Sequence, residues 1–172
     1  LKLAASSSQI QRLEKSNSIE GTFAIMGGDP NEIAKLTGEF IGTFLLIFTV
    51  GCNVLSGNAV WGGVSIASVL MVAIYALGGI SGGNFNPAVS VCLAVTNSMG
   101  GPGGMEWGTA MKYSAVQLAA GFVAGLSYCA LFWDSFNLAP AKGFGILEAG
   151  LVEMLYTFML CFVVLNAAVA KP

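Results

Sequence analysis

Histidine is absent from the 172 residues, and charged side chains make up only 9% of them. Without histidine the chain has no Ser/His/Asp or Cys/His triad, no His-bearing zinc site and no His-ligated haem. Seven Lys and Arg in all are too few for the basic face that nucleic-acid binding requires, and the formal net charge is −2. A soluble domain carries about 25% charged residues. Here 55% of residues are hydrophobic and the mean hydropathy is +0.76, which makes this a membrane protein.

Cysteine is scarce too. Cys52, Cys92, Cys129 and Cys161 all lie in apolar stretches without a close CxxC pair. They read as small buried hydrophobes rather than as a disulfide or metal framework. No metal site and no cofactor is expected. Residues 1–35 are polar and of mixed charge, with a Ser6-Ser7-Ser8 run; they lack the apolar core of a secretory signal and read as a tail.

Crossing a bilayer core of about 30 Å takes about 20 helical residues. Four stretches meet this: Leu36 to Leu55 with Glu39 as its single charge, Ala59 to Ile80 and Tyr113 to Trp133 with none, and Ile146 to Ala170 with Glu148 and Glu153. The runs are continuous rather than alternating, so they are helices and not barrel strands. The fold expected is an all-α membrane protein, with a Gly-rich connection at 100–104 and a loop at 134–145.

A fifth apolar piece, Asn86 to Val95, has only ten residues. That is roughly 15 Å of helix, half the bilayer. It follows Ser81-Gly82-Gly83 and opens on Asn86-Pro87, a good N-cap with proline at the first helical position. The reading is a re-entrant half-helix that starts near the midplane and returns to the side it entered from. Charge agrees: with the tail on the cytoplasmic-type side, six of the seven Lys and Arg fall on that side and only Lys142 falls opposite.

Two spans share a pattern. Glu39 to Phe48 reads E-x-x-x-T-F-L-L-x-F, and Glu153 to Phe162, 114 residues later, reads E-x-x-x-T-F-M-L-x-F. Ionisable residues inside a membrane are costly and mark functional positions. Repeats three spans apart run in opposite directions, the inverted-repeat plan of many transport folds. Small-xxx-small faces occur at Gly38/Gly42 in the first span and at Gly121/Gly125 in the third. They suit close helix packing, within one bundle or against a partner.

From Lys35 to its end the sequence resembles the aquaporin family of major intrinsic proteins. The likeness is carried by Glu39 with Thr43, by the run Ile80-Ser81-Gly82-Gly83-Asn84-Phe85-Asn86-Pro87-Ala88-Val89-Ser90, and by Glu153 with Thr157. It implies an aquaporin-like fold of four transmembrane helices and one N-P-A half-helix, an incomplete inverted repeat. Residues 36–133 would be the first repeat, with its half-helix at 86–95, and 146–172 the first helix of the second. Asn86 would be the pore asparagine that donates a hydrogen bond to passing water, and Pro87 and Ala88 the residues that stack two half-helices at the midplane. Glu39 and Glu153, each with its threonine, would be buried carboxylates that hold loop backbone.

Three departures qualify the likeness. Asn84 stands where the family usually has histidine, so that position cannot titrate. Ile66, 18 positions before Asn84, stands where water-selective members usually carry an aromatic filter residue, so it is either a more apolar filter position or ordinary packing. The sequence ends at Pro172, before a second half-helix and its filter arginine, and covers about two-thirds of what the family plan requires. The expected function is passive passage of water or small neutral solutes once a second half completes the pore. The alternative is a non-transporting, aquaporin-derived subunit of a larger membrane complex. A pigment-holding bundle is disfavoured because, without histidine and with Arg12 only in the tail, just Glu, Asn or Gln could serve as axial ligands; an enzyme is disfavoured because the buried titratable groups are essentially Glu39 and Glu153. The expected partners are membrane lipid and either further copies, a homotetramer by resemblance, or other membrane subunits, with no nucleic acid.

Overall fold

The computed structural model describes residues 30–57, 59–140 and 142–169; most of the polar tail, with its serine run, Lys2, Arg12 and Lys15, lies outside them, as does Lys171. Every regular element among the described residues is helical: α1 (Pro30–Leu55), α2 (Ala59–Ser81), α3 (Pro87–Ser98), α4 (Trp107–Phe132) and α5 (Ile146–Val164), which runs on into a π-turn at Leu165–Val169. Four of these are long and apolar enough to cross a membrane, and α3 is the short apolar helix. The protein is an all-α integral membrane protein.

The helix ends differ from an apolar-length reading. α1 begins at Pro30, not Leu36, and takes in the last residues assigned to the tail. Proline suits the first helical position and Glu32 suits the positive first turn, so the helix starts in polar sequence before the lipid-facing stretch does. α4 begins at Trp107, six residues before Tyr113, for the same reason: a helix needs no apolar residues in a turn outside the hydrocarbon. α3 runs to Ser98 rather than Val95. Thr96 and Ser98 donate their hydroxyls to Cys92 O and Ala94 O at 2.9 and 3.0 Å, so these polar residues stay in the helix instead of ending it.

Contacts between helices fix their directions. Lys112 pairs with Glu32, Gln117 bonds Glu39, and Tyr128 lies on Gly51, so α1 and α4 rise together. Asn53 bonds Ser65 at 3.0 Å, and Ser81 bonds Glu39 at 2.7 Å, so α2 runs against them. The loop after α2 reaches the level of Gly42, near the middle of α1, where Phe85 rests. From there α3 descends until Trp107 Nε1 donates to Ser98 Oγ at 2.9 Å beside the start of α4. The short helix thus starts at mid-depth and returns to the side where α1 begins. Leu160 and Val164 of α5 and Leu165 of its π-turn pack against the cluster formed by Val89 and Leu93 of α3 with Val169. Its far end brings Val169 against Gly103, in the connection between α3 and α4. α5 therefore descends while α1 ascends, so the two E-x-x-x-T spans point in opposite directions.

Candidate functional site: a carboxylate-held loop and a half-helix tip

The connection between α2 and α3 is irregular backbone at mid-membrane depth, where every N–H needs a protein partner. Gly82 and Gly83 take φ of 97° and 70°, a region open to glycine, and let the chain reverse within a few residues. Phe85 also has a positive φ, 49°, which is uncommon without glycine. Its ring is 2% exposed and lies flat against α1 at Gly42. A Cβ at Gly42 would come within 2.1 Å of that ring, so the glycine is the space the ring occupies. Packing thereby holds a backbone conformation that the sequence alone would not favour.

Glu39, 0% exposed, holds the loop from below. Its Oε1 accepts from Ser81 Oγ at 2.7 Å and from the Asn84 N–H at 3.1 Å. Its Oε2 accepts from the Phe85 N–H at 2.8 Å and from Gln117 Nε2 at 2.8 Å. Four donors thus fill the acceptor positions of one carboxylate. Ser81 Oγ also accepts from the Gly83 N–H at 3.2 Å, and Tyr113 Oη donates to Ser81 O at 2.8 Å. Ser90 accepts from Gln117 Nε2 and from Asn84 Nδ2, both at 3.1 Å, which ties the first turns of α3 into the same network.

Asn86 caps α3. Its backbone is extended, at φ −152° and ψ 127°, and Pro87 opens the helix. Asn86 Oδ1 accepts from the Ala88 N–H at 2.8 Å. That leaves Nδ2, which makes no hydrogen bond among the described residues. Asn86 borders an open groove of about 350 Å³, with Pro87, Thr43, Leu46, Gly121 and Phe122 among its walls. The positive end of the α3 dipole falls at the same place. Thr43 Oγ1 is buried beside it without a hydrogen-bond partner among the described residues. The arrangement offers a neutral amide donor backed by a positive helix end. That combination favours a hydrogen-bond acceptor and disfavours a cation.

Other residues singled out from the sequence lie elsewhere. Asn84 is 7% exposed and turned inward, its amide spent on Ser90 and, at 3.8 Å, on Met105 Sδ; it does not border the groove. Ile66 is half-buried on α2, also away from the groove. Glu153 is exposed and Thr157 half-buried on α5, where no described segment packs over that face. Gly38 lies against Ser81 and Gly42 against Phe85, the end of a span and a loop rather than a helix face. Gly121 has open space where a side chain would stand, and Gly125 meets only Tyr128 of its own helix. Ser81 and Ser90 lie in the run that carries the resemblance but had no expected role there, and nothing in the local sequence pattern marks Gln117 or Tyr113 as a partner of Glu39 or Ser81. A neutral amide in an otherwise uncharged span was the available signal, since intramembrane polar groups require partners.

A multi-pass helical membrane protein whose half-helix starts at mid-depth on a carboxylate-held loop is built on the plan of channels and transporters. The sequence model described as "Major intrinsic protein" matches residues 29–171. The chain belongs to the major intrinsic protein family.

Among curated relatives, the probable aquaporin NIP4-2 of Arabidopsis thaliana is 32% identical, over 93% of this chain and 60% of the relative. Aquaporin NIP1-3 of Oryza sativa subsp. japonica is 33% identical, over 78% of this chain and 48% of the relative. The glycerol uptake facilitator protein-like 6 of Lactiplantibacillus plantarum is 32% identical, over 77% and 62%. The chain thus spans less than two-thirds of the length of each of these relatives. No solved structure matches the chain.

Proposed function

We propose that this chain forms the first pore half of a channel that passes water or small neutral solutes down their gradients. The observation that carries this reading is the Asn86 amide: Oδ1 is committed to the cap, Nδ2 has no partner among the described residues, and Asn86 lines the groove at the positive end of α3. A water or hydroxyl oxygen can accept from Nδ2 in place of a bulk hydrogen bond, whereas a cation meets a positive dipole end. The names of the relatives, aquaporins and a glycerol uptake facilitator, support the same solute classes. In this reading residues 36–133 are the first repeat and α5 opens the second. The start of α1, with Lys112, lies on the cytoplasmic-type side, and copies assemble as a tetramer in the manner of the family.

Osmotic swelling of proteoliposomes that hold this chain together with the second half that completes the pore tests this. Swelling above that of empty liposomes, reduced severalfold by Asn86→Ala, is expected; swelling at the empty-liposome rate removes the channel reading. One feature favours a second reading, a non-transporting subunit of a larger complex: the Gly121/Gly125 face of α4 is open. Stable co-purification with other membrane proteins, together with no swelling, would decide for it.

A further inference from the structure

Two cysteines on separate elements come onto one turn of the half-helix. Cys161 Sγ on α5 donates to Ala88 O on α3 at 3.8 Å. Cys92 follows Ala88 by one turn of α3, so its N–H bonds that same carbonyl along the helix, and helical side chains lean back over the preceding turn. Leu160 and Val164 pack against the cluster that holds Val89 and Leu93. Both cysteines are half-buried and open to a small neutral reagent. Among the described residues no third His, Cys, Asp or Glu joins them, so the site is a dithiol rather than a metal cage.

We propose that Cys92 and Cys161 form a redox modification site, which hydrogen peroxide closes to an intramolecular disulfide that staples half-helix α3 to span α5. One sulfur attacks the peroxide; the O–O bond breaks, a sulfenic acid forms, and the thiol proton leaves with the departing hydroxide as water. The second sulfur then attacks the sulfenic sulfur; the S–S bond forms and the sulfenic oxygen leaves as a second water. Two S–H bonds are lost, the sulfur pair gives up two electrons, and the peroxide is reduced to two waters. The staple would fix α3 against α5 a turn and a half beyond Asn86.

The experiment counts thiols on the protein in liposomes, before and after hydrogen peroxide, by maleimide–polyethylene glycol labelling in detergent. Of the four cysteines, two should lose labelling after peroxide and regain it with dithiothreitol, and peptide mapping should find Cys92 joined to Cys161. Cys92→Ser and Cys161→Ser should each keep all their remaining thiols. Wild-type mapping stands by itself if either variant fails to fold. Full labelling after peroxide, a linkage through Cys52 or Cys129, or a disulfide between copies would each overturn the proposal.

Discussion

Gln117 on α4 donates to Glu39 on α1 at 2.8 Å, through the same carboxylate oxygen that holds the Phe85 N–H at 2.8 Å. One acceptor therefore joins two spans and a loop. The depth of the half-helix tip is set by side chains on α1 and α4 rather than by its own sequence.

Replacing Glu39 by glutamine tests that statement. Whichever oxygen becomes an amide, it presents a donor to a backbone N–H: Asn84 at Oε1 or Phe85 at Oε2. Ser81 and Gln117 can rotate or flip to adapt; a peptide N–H cannot. A buried donor left unpaired costs about 1–3 kcal/mol. Glu39→Gln should lower unfolding stability in detergent micelles by that amount and slow proteoliposome swelling. A variant as stable as wild type would show that water takes up the orphaned bond.

Gly42 and Phe85 should behave as a coupled pair. Gly42→Ala drives a methyl group into the Phe85 ring, and overpacking of this kind costs about 1–3 kcal/mol. Phe85→Leu should relieve part of the cost, giving a coupling energy of about 0.5 kcal/mol or more in a double-mutant cycle. Additive effects would mean that the ring moves aside freely and that packing does not hold the positive φ at Phe85.

Composition and hydrophobic run length were enough to place the four spans, the half-helix between Asn86 and the second glycine cluster, and the cost of Glu39. Much of the network around Glu39 was not legible. Gln117 carries no charge, so counting charges in α4 passes over it, although its amide joins α4 to the carboxylate on α1. The small-xxx-small pattern found Gly121 and Gly125, neither of which meets another helix, and missed Gly51, which receives the Tyr128 ring. A glycine becomes a contact only when a bulky residue on another helix comes to it, and spacing along one helix does not encode that. Cys92 and Cys161 illustrate the same limit, since side chains on separate elements share no local pattern.

Asn86 has two duties that substitution can separate. Serine keeps an N-cap acceptor for the Ala88 N–H but removes the amide; alanine removes both. Asn86→Ala should lose about 0.5–2 kcal/mol of stability, and Asn86→Ser only a few tenths. Both should reduce swelling, because the Nδ2 donor at the groove is gone in each. Normal swelling in the serine variant, measured beside its stability, would reduce Asn86 to a cap.

The two carboxylates of the repeat should differ in the same way that their surroundings do. Glu39 has four donors and no exposure, whereas Glu153 is exposed on α5 and makes no hydrogen bond among the described residues. Glu153→Ala should change the stability of residues 30–169 by less than about 0.5 kcal/mol, the range of substitutions that touch nothing. Glu39→Ala should cost several times more. If a second loop settles on α5 in the assembled channel, Glu153→Ala should still abolish most of the swelling while leaving this bundle as stable as before. A loss of bundle stability with Glu153→Ala would show that α5 is anchored through its carboxylate within these residues, and an unchanged swelling rate would show that the second E-x-x-x-T motif holds nothing.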